Sequence, residues 1–417
     1  MTEMPTTGRS ILRAAWLATM DGPVIGNGAV LIGEGRVLVA GPAADVRAVA
    51  PDAKVEDVGD AVLLPGLVNA HAHLDLTHVS RPAPPDRFVD WLAHVMSSAV
   101  GDAAAAVRDG AAQCIRFGVT TVGDISRYAA AAREILRYGP VRAVSYGEVV
   151  GMAGRRHLLP GLLQAAVGDS QDSDNVARAV SPHAPYSIDA HGYRQCVAAA
   201  DLRPLPLCTH LAETPDERAF LSHHAGPFRE LWDRIGGWDG AAVPRFPGSP
   251  VAYAGSLGLL DRPATALAHV NDCDDDDLAL LARGRASVVY CPRTHAYFGR
   301  PPHRWRDMLA AGVNVAVGTD SCASSPDLNL VDDLRLLRRL APDVPPATLW
   351  EMATVRAALA IGREASVGTI SPGKWADMAA FPAAASSTDP LTDLLETPTP
   401  PTAVWIGGRR IPPADVR

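Results

Sequence analysis

Residues 63–77 read LLPGLVNAHAHLDLT, an apolar run that ends in two histidines one residue apart. On a strand, residues i and i+2 share a face, whereas on a helix the same spacing sets them roughly 200° apart. The β-branched and apolar content favours a buried strand, so His71 and His73 are expected to point at one spot.

The same texture recurs along the chain. Eight candidate strands fall between residues 63 and 321: LLPGLVNAHAH, VTTVGDIS, VRAVSYGEVV, VARAVSPHAPYS, LPLCTHLAE, TALAHVND, ASVVYCPRTH and VNVAVGTDS. Amphipathic or alanine-rich helical segments separate them. Eight strand-then-helix units predict an α/β fold, a (β/α)₈ barrel of the TIM type. A doubly wound sheet is the alternative, but no G-x-G-x-x-G follows any of these strands. Short strands with glycine turns occupy both chain ends, as in GAVLIGEGRVLVAG and TAVWIGGRRI. They predict a small composite β-sandwich domain built from residues 1–62 and 365–417 around a barrel at 63–364.

Bulk properties narrow the function. The 417 residues carry 47 % hydrophobic and 20 % charged side chains with a formal net charge of −8, the balance of an ordinary globular protein. The arginines are scattered, so a phosphate-tracking stripe is not expected and nucleic acid is not an expected partner. No 18-residue apolar span and no secretory leader are read, which predicts no membrane association. Six separated cysteines with no C-x-x-C pair fit a reduced, cytoplasmic protein, and a homodimer is left open. Asp274–Asp277 read as the start of a helix, where carboxylates suit the positive end of the dipole.

The polar residues at the strand ends carry the chemistry. His71 and His73 end the first candidate strand, His183 the fourth, His210 and Glu213 the fifth, and His269, His295 and Asp320 the sixth, seventh and eighth. In a barrel these ends converge on one face. Three neutral imidazoles and a carboxylate suit one divalent metal ion, zinc first and ferrous iron second, with a position left for water. A carboxylate three residues beyond a ligand histidine, as Glu213 is beyond His210, can shuttle protons.

The ordered motifs PGLVNAHAHLDLTHV, SPHAPYS, THLAET, AHVND and VGTDS resemble the amidohydrolase superfamily, in its subgroup of metal-dependent deaminases and chlorohydrolases. The resemblance implies that His71, His73, His210 and Asp320 bind the metal and that Asp320 takes a proton from the attacking water. It also implies that Glu213 protonates the substrate ring, that His269 orients the attacking oxygen, and that His183 contacts the substrate. The activity implied is deamination of an amino-substituted heteroaromatic ring or an adenosine-like nucleoside. Loss of chloride or opening of a cyclic amide at the same site is the alternative. A barrel kept as a non-catalytic module is disfavoured, because none of the expected ligand types is missing.

The chain's only lysines, Lys54 and Lys374, lie in the terminal β segments, so a carboxylated barrel lysine bridging two metals is excluded. Glu148 is the one residue that could bridge in its place. CPRTHAYFG, residues 291–299, departs from the proline followed by Ser-Asn common in the subgroup. Arg293 and His295 there are expected to contact the substrate, with Arg293 as a fork for a carboxylate. Asp75 follows the H-x-H-L-acid form of the aminodeoxyfutalosine deaminases, where the acid is usually glutamate, and is expected to accept from sugar hydroxyls. The segment 215–238 is long enough for a helix and a lid over the mouth, with Phe228, Leu231 and Trp232 as its apolar residues.

Overall fold

The computed structural model describes residues 8–98, 102–168 and 172–412. Eight parallel strands form the barrel: Leu67–Ala72, Val119–Ser126, Arg142–Val149, Val176–Pro182, Leu207–Leu211, Thr265–His269, Ser287–Tyr290 and Val315–Val317. Each pairs with the next in chain order. The seam between last and first is closed by a single bridge, Ala72 to Asp320, with Asp320 N donating to His71 O at 3.0 Å. One buried cluster draws from all eight strands, including Val68, Ile125, Val144, Ala177, Cys208, Ala266, Val289 and Ala316. The barrel is therefore a packed core, and chemistry is confined to its ends.

Helices follow the strands as the apolar periodicity predicts. The aspartate run does start one: Asp274 caps Asp275–Arg283 in a reciprocal capping box with Asp277. The lid segment forms two helices, Pro215–His223 and Pro227–Ile235.

The first expected strand, LLPGLVNAHAH, is two strands. Ala61–Pro65 pairs with Met378–Pro382 in the second sheet, and only Leu67–Ala72 enters the barrel. Gly66 makes the crossing, because a Cβ there would lie 2.1 Å from Thr120 Oγ1. The second sheet draws Ser10–Leu17, Ile25–Gly33, Arg36–Pro42, Lys54–Asp57 and Ala61–Pro65 from one chain end. Met378–Pro382, Ala403–Ile406 and Arg409–Arg410 come from the other.

A buried ion pair joins sheet to barrel. Arg142, at the start of the third barrel strand, holds Asp377 with Nε to Oδ2 at 2.6 Å, both side chains being at most 5 % exposed. The Trp375 ring lies 3.9 Å from the Arg142 guanidinium and 4.0 Å from that of Arg36. Replacing Arg142 by Met strands the Asp377 carboxylate, and chemical denaturation is expected to show a loss of about 3–5 kcal/mol. Pairing it with Asp377→Leu is expected to recover most of that loss.

Candidate active site

The strand ends deliver the histidines to one place. The rings of His71 and His73 are 5.1 Å apart, and that of His210 lies 5.0 Å from His71 and 5.3 Å from His73. His269 joins them, 5.5 Å from His210. His73 Nε2 faces His210 Nε2 at 3.2 Å, and Asp320 Oδ1 is 3.8 and 3.7 Å from the Nε2 atoms of His71 and His73. Two overlapping sets, His71–His210–His269 and His71–His73–Asp320, each gather their ligand atoms within 4.8 Å. His71 Nε2 and His269 Nε2 are buried without a hydrogen-bond partner.

Buried nitrogens aimed at one another, with lone pairs and no acceptor between them, are what a cation would satisfy. The groups thus fit a metal by donor type and direction. Burial first, then neighbouring imidazoles, push His71 well below the usual histidine range. His210 is lowered to about 4, again mainly by burial. The rings are neutral at pH 7, the form that ligates.

Other contacts fix these groups in turn. His210 Nδ1 is 3.0 Å from the His183 carbonyl, and His71 Nδ1 is 3.8 Å from Cys208 Sγ. Ser324 Oγ donates to Asp320 Oδ2 at 2.8 Å, leaving Oδ1 toward the histidines. His269 and Asp320 adopt left-handed φ values of 75° and 59°, strain that clusters at functional sites. Glu213 is 4 % exposed, with Oε1 3.6 Å from His269 Nε2. Burial, then Asp320 and Glu217, raise it well above the usual carboxylate range. Glu217, fully buried at the start of its helix, accepts from the backbone N–H groups of Ala212 and Glu213 and so sets the loop that carries Glu213.

His73, His210, Glu213, His269 and Asp320 line a cavity of about 290 Å³ at the barrel mouth. His183 lines it too, with Nε2 3.4 Å from Glu148 Oε1. One wall is apolar, made by Phe88, Trp91 and Val95 of the helix Phe88–Ser97 together with Leu231 and Trp232. Arg127 and Arg155 also line it, the Arg155 guanidinium lying 5.8 Å from the Trp232 ring. Trp91 Nε1 donates to Ala323 O at 2.9 Å, pinning the helix beside Asp320. Phe228 does not line the cavity and stacks on Tyr186 at 4.1 Å.

Three expected substrate contacts are not brought to this cavity. Arg293 lies beyond its strand on the helix Pro292–Tyr297, where its guanidinium holds Asp333 at 2.9 Å and Asp327 at 2.7 Å. His295, one turn on, has Nε2 2.9 Å from Pro301 O. Asp75 lies in the 3₁₀ turn Leu74–Leu76, where Oδ2 accepts from Ser126 Oγ and Arg127 N, so alternation no longer applies to it. Glu148, considered as a bridge, sits beside His183 and outside both ligand sets. Arg127 and Arg155 were missed. The first follows a strand end, a signal that could have found it, whereas Arg155 lies in a 3₁₀ turn with no periodicity to mark it. The spacing of Phe88, Trp91, Leu92 and Val95 in RFVDWLAHVM is a helical stripe that would have found the covering helix.

A parallel eight-stranded barrel with an imidazole and carboxylate cluster at one mouth defines a metal-site hydrolase architecture. The chain belongs to the amidohydrolase family, whose model matches residues 62–411. It is 29 % identical over 385 residues to a 5-methylthioadenosine/S-adenosylhomocysteine deaminase of Moorella thermoacetica, covering 89 % of this chain and 85 % of that one. It is 31 % identical over 353 residues to the aminodeoxyfutalosine deaminase of Deinococcus radiodurans, covering 80 % and 81 %. The zinc-bound crystal structure of an adenosine deaminase from Xanthomonas campestris superposes with a TM-score of 0.78 at 24 % identity, over 98 % of this chain and 93 % of that one. The chain is thus a hydrolase acting on carbon–nitrogen bonds. Among the described residues no helix is long and apolar enough to cross a membrane.

Arg293→Met leaves Asp333 buried without its partner. Melting experiments are expected to show a loss of about 3–5 kcal/mol, while KM for any substrate turned over stays unchanged.

Proposed function

We propose that the chain deaminates an adenosine-like nucleoside, with one divalent ion, zinc by its donor set, held by His71, His73, His210 and Asp320. The observation that carries this is the pair of overlapping sets, His71–His73–Asp320 and His71–His210–His269, each with its ligand atoms within 4.8 Å and sharing His71, at a cavity that Glu213 also lines. Ferrous iron accepts the same donors. When bound, such an ion acidifies a water so that it can attack near neutral pH.

The side chains then divide the proton work. Asp320, with Oδ1 turned to the ligand histidines and Oδ2 held by Ser324, takes the proton of the attacking water. Glu213, kept protonated by burial, delivers a proton to the ring nitrogen next to the attacked carbon. His269, 3.6 Å from Glu213, orients the incoming oxygen. A carbon–oxygen bond forms, the carbon–nitrogen bond breaks, ammonia leaves with the proton that Asp320 collected, and the proton of the added hydroxyl returns to Glu213 as the carbonyl forms.

The cavity supports a nucleoside with an extension. About 290 Å³ suits a small molecule. The wall of Phe88, Trp91 and Trp232 takes an apolar link, and Arg127 and Arg155 suit a terminal carboxylate. His183 contacts the base or sugar from the end of the fourth strand. The named activities of the relatives, on 5-methylthioadenosine, S-adenosylhomocysteine and aminodeoxyfutalosine, support this class.

Ammonia release by the zinc-loaded protein over adenosine, 5-methylthioadenosine, S-adenosylhomocysteine and aminodeoxyfutalosine tests the reading. Release is expected, with kcat about 10²–10⁴-fold lower in Glu213→Gln. Silence from protein carrying one metal per chain rejects it. Arg155→Met is expected to raise KM by about 10–100-fold for the carboxylate-bearing substrates, the equivalent of ~1.5–3 kcal/mol, and to leave 5-methylthioadenosine unaffected.

A further inference from the structure

We infer that Asn69 is a positioning residue for the metal centre: its side-chain amide locks the strand that carries His71 to the strand end that carries Asp320. The inference rests on the reading that these side chains hold a metal.

Asn69 is fully buried. Its Nδ2 donates to Thr319 Oγ1 at 2.7 Å, and its Oδ1 accepts from Thr319 N at 3.1 Å and His71 N at 3.4 Å. One amide therefore grips the backbone of one ligand and the immediate neighbour of another.

The grip falls at one of the two most sparsely paired junctions of the barrel, the other being the single pair Val180–Leu207 between the fourth and fifth strands. The third and fourth barrel strands share seven paired residues, whereas the eighth and first share only the isolated bridge Ala72–Asp320. The pairing of the first strand with the second also slips between Asn69 and Ala72. At the same point the chains approach closely, since a Cβ on Gly318 would lie 2.7 Å from His71 O. A side-chain amide that both donates and accepts thus supplies bonds the missing ladder does not. His71 and Asp320 come from opposite sides of this seam, and metal sites tolerate only about 0.2 Å of ligand displacement. A small slip at the seam therefore separates imidazole from carboxylate without unfolding the barrel.

The test compares wild type with Asn69→Leu, Thr319→Val and Thr319→Ser. Zinc affinity is measured by competition with a chromophoric chelator, the visible spectrum is recorded with cobalt, and the melting of the metal-stripped proteins is followed. Asn69→Leu and Thr319→Val are expected to bind zinc about 10–100-fold more weakly, with altered cobalt bands, and Thr319→Ser to restore both. If Asn69→Leu fails to fold, Thr319→Val, which removes only the hydroxyl, decides alone. Zinc affinity and cobalt spectra equal to wild type in the folded variants, even with lower melting temperatures, overturn the inference by making the amide structural only. Wild-type protein that binds no zinc or cobalt overturns the metal reading itself.

Discussion

His73 and His210 point ring nitrogens at each other across 3.2 Å in a place where almost no side-chain surface meets water. One neutral imidazole can donate its N–H to the other there, and a cation between them would take both lone pairs. Much of the surrounding structure holds this geometry: the His183 carbonyl beneath His210, Ser324 on Asp320, and the left-handed backbone at His269 and Asp320. Such strain persists only where the rest of the fold over-determines it. The barrel does so by fixing these side chains at the ends of its first, fifth, sixth and eighth strands.

The sequence made most of this cluster legible because strand ends in a barrel are geometrically equivalent. Once H-x-H was read as the end of a strand, the other histidines and Asp320 were legible as strand ends from position, and their division into ligands and proton carriers came from the family resemblance. The reading failed where the strand had already ended. Asp75 lies in a 3₁₀ turn, so the alternation that relates 71 to 73 does not extend to 75. Pro292 begins a helix just past the seventh strand, and that carries Arg293 toward Asp327 and Asp333 and His295 toward Pro301. Gly66 divided the opening stretch, because a run that serves two sheets in succession has the same composition as one long strand.

The cavity walls come from segments that obey no strand rule. The covering helix Phe88–Ser97 is held by Trp91 to the loop beyond Asp320, and exposed pairs Arg87–Glu230 and Asp90–Arg234 bridge it to the helix Pro227–Ile235. Exposed pairs contribute little to holding such elements together. The buried indole contact and apolar packing therefore do most of the holding, in elements separate from the strand ends that carry the histidines and Asp320.

The second sheet has a consequence for how the chain is made. Ala61–Pro65 pairs on one side with the N-terminal strand and on the other with Met378–Pro382, more than 300 residues later, and the barrel seam joins His71 to Asp320. A ribosome-bound chain can pack its early helices against early strands, but it can close neither sheet until almost all of the polypeptide has emerged. Contacts this distant in sequence slow folding and leave strand edges open meanwhile. The histidine and aspartate cluster is therefore assembled among the last features of the molecule, and a chain cut short just before Asp320 carries all of its histidines but not the seam that brings the carboxylate to them.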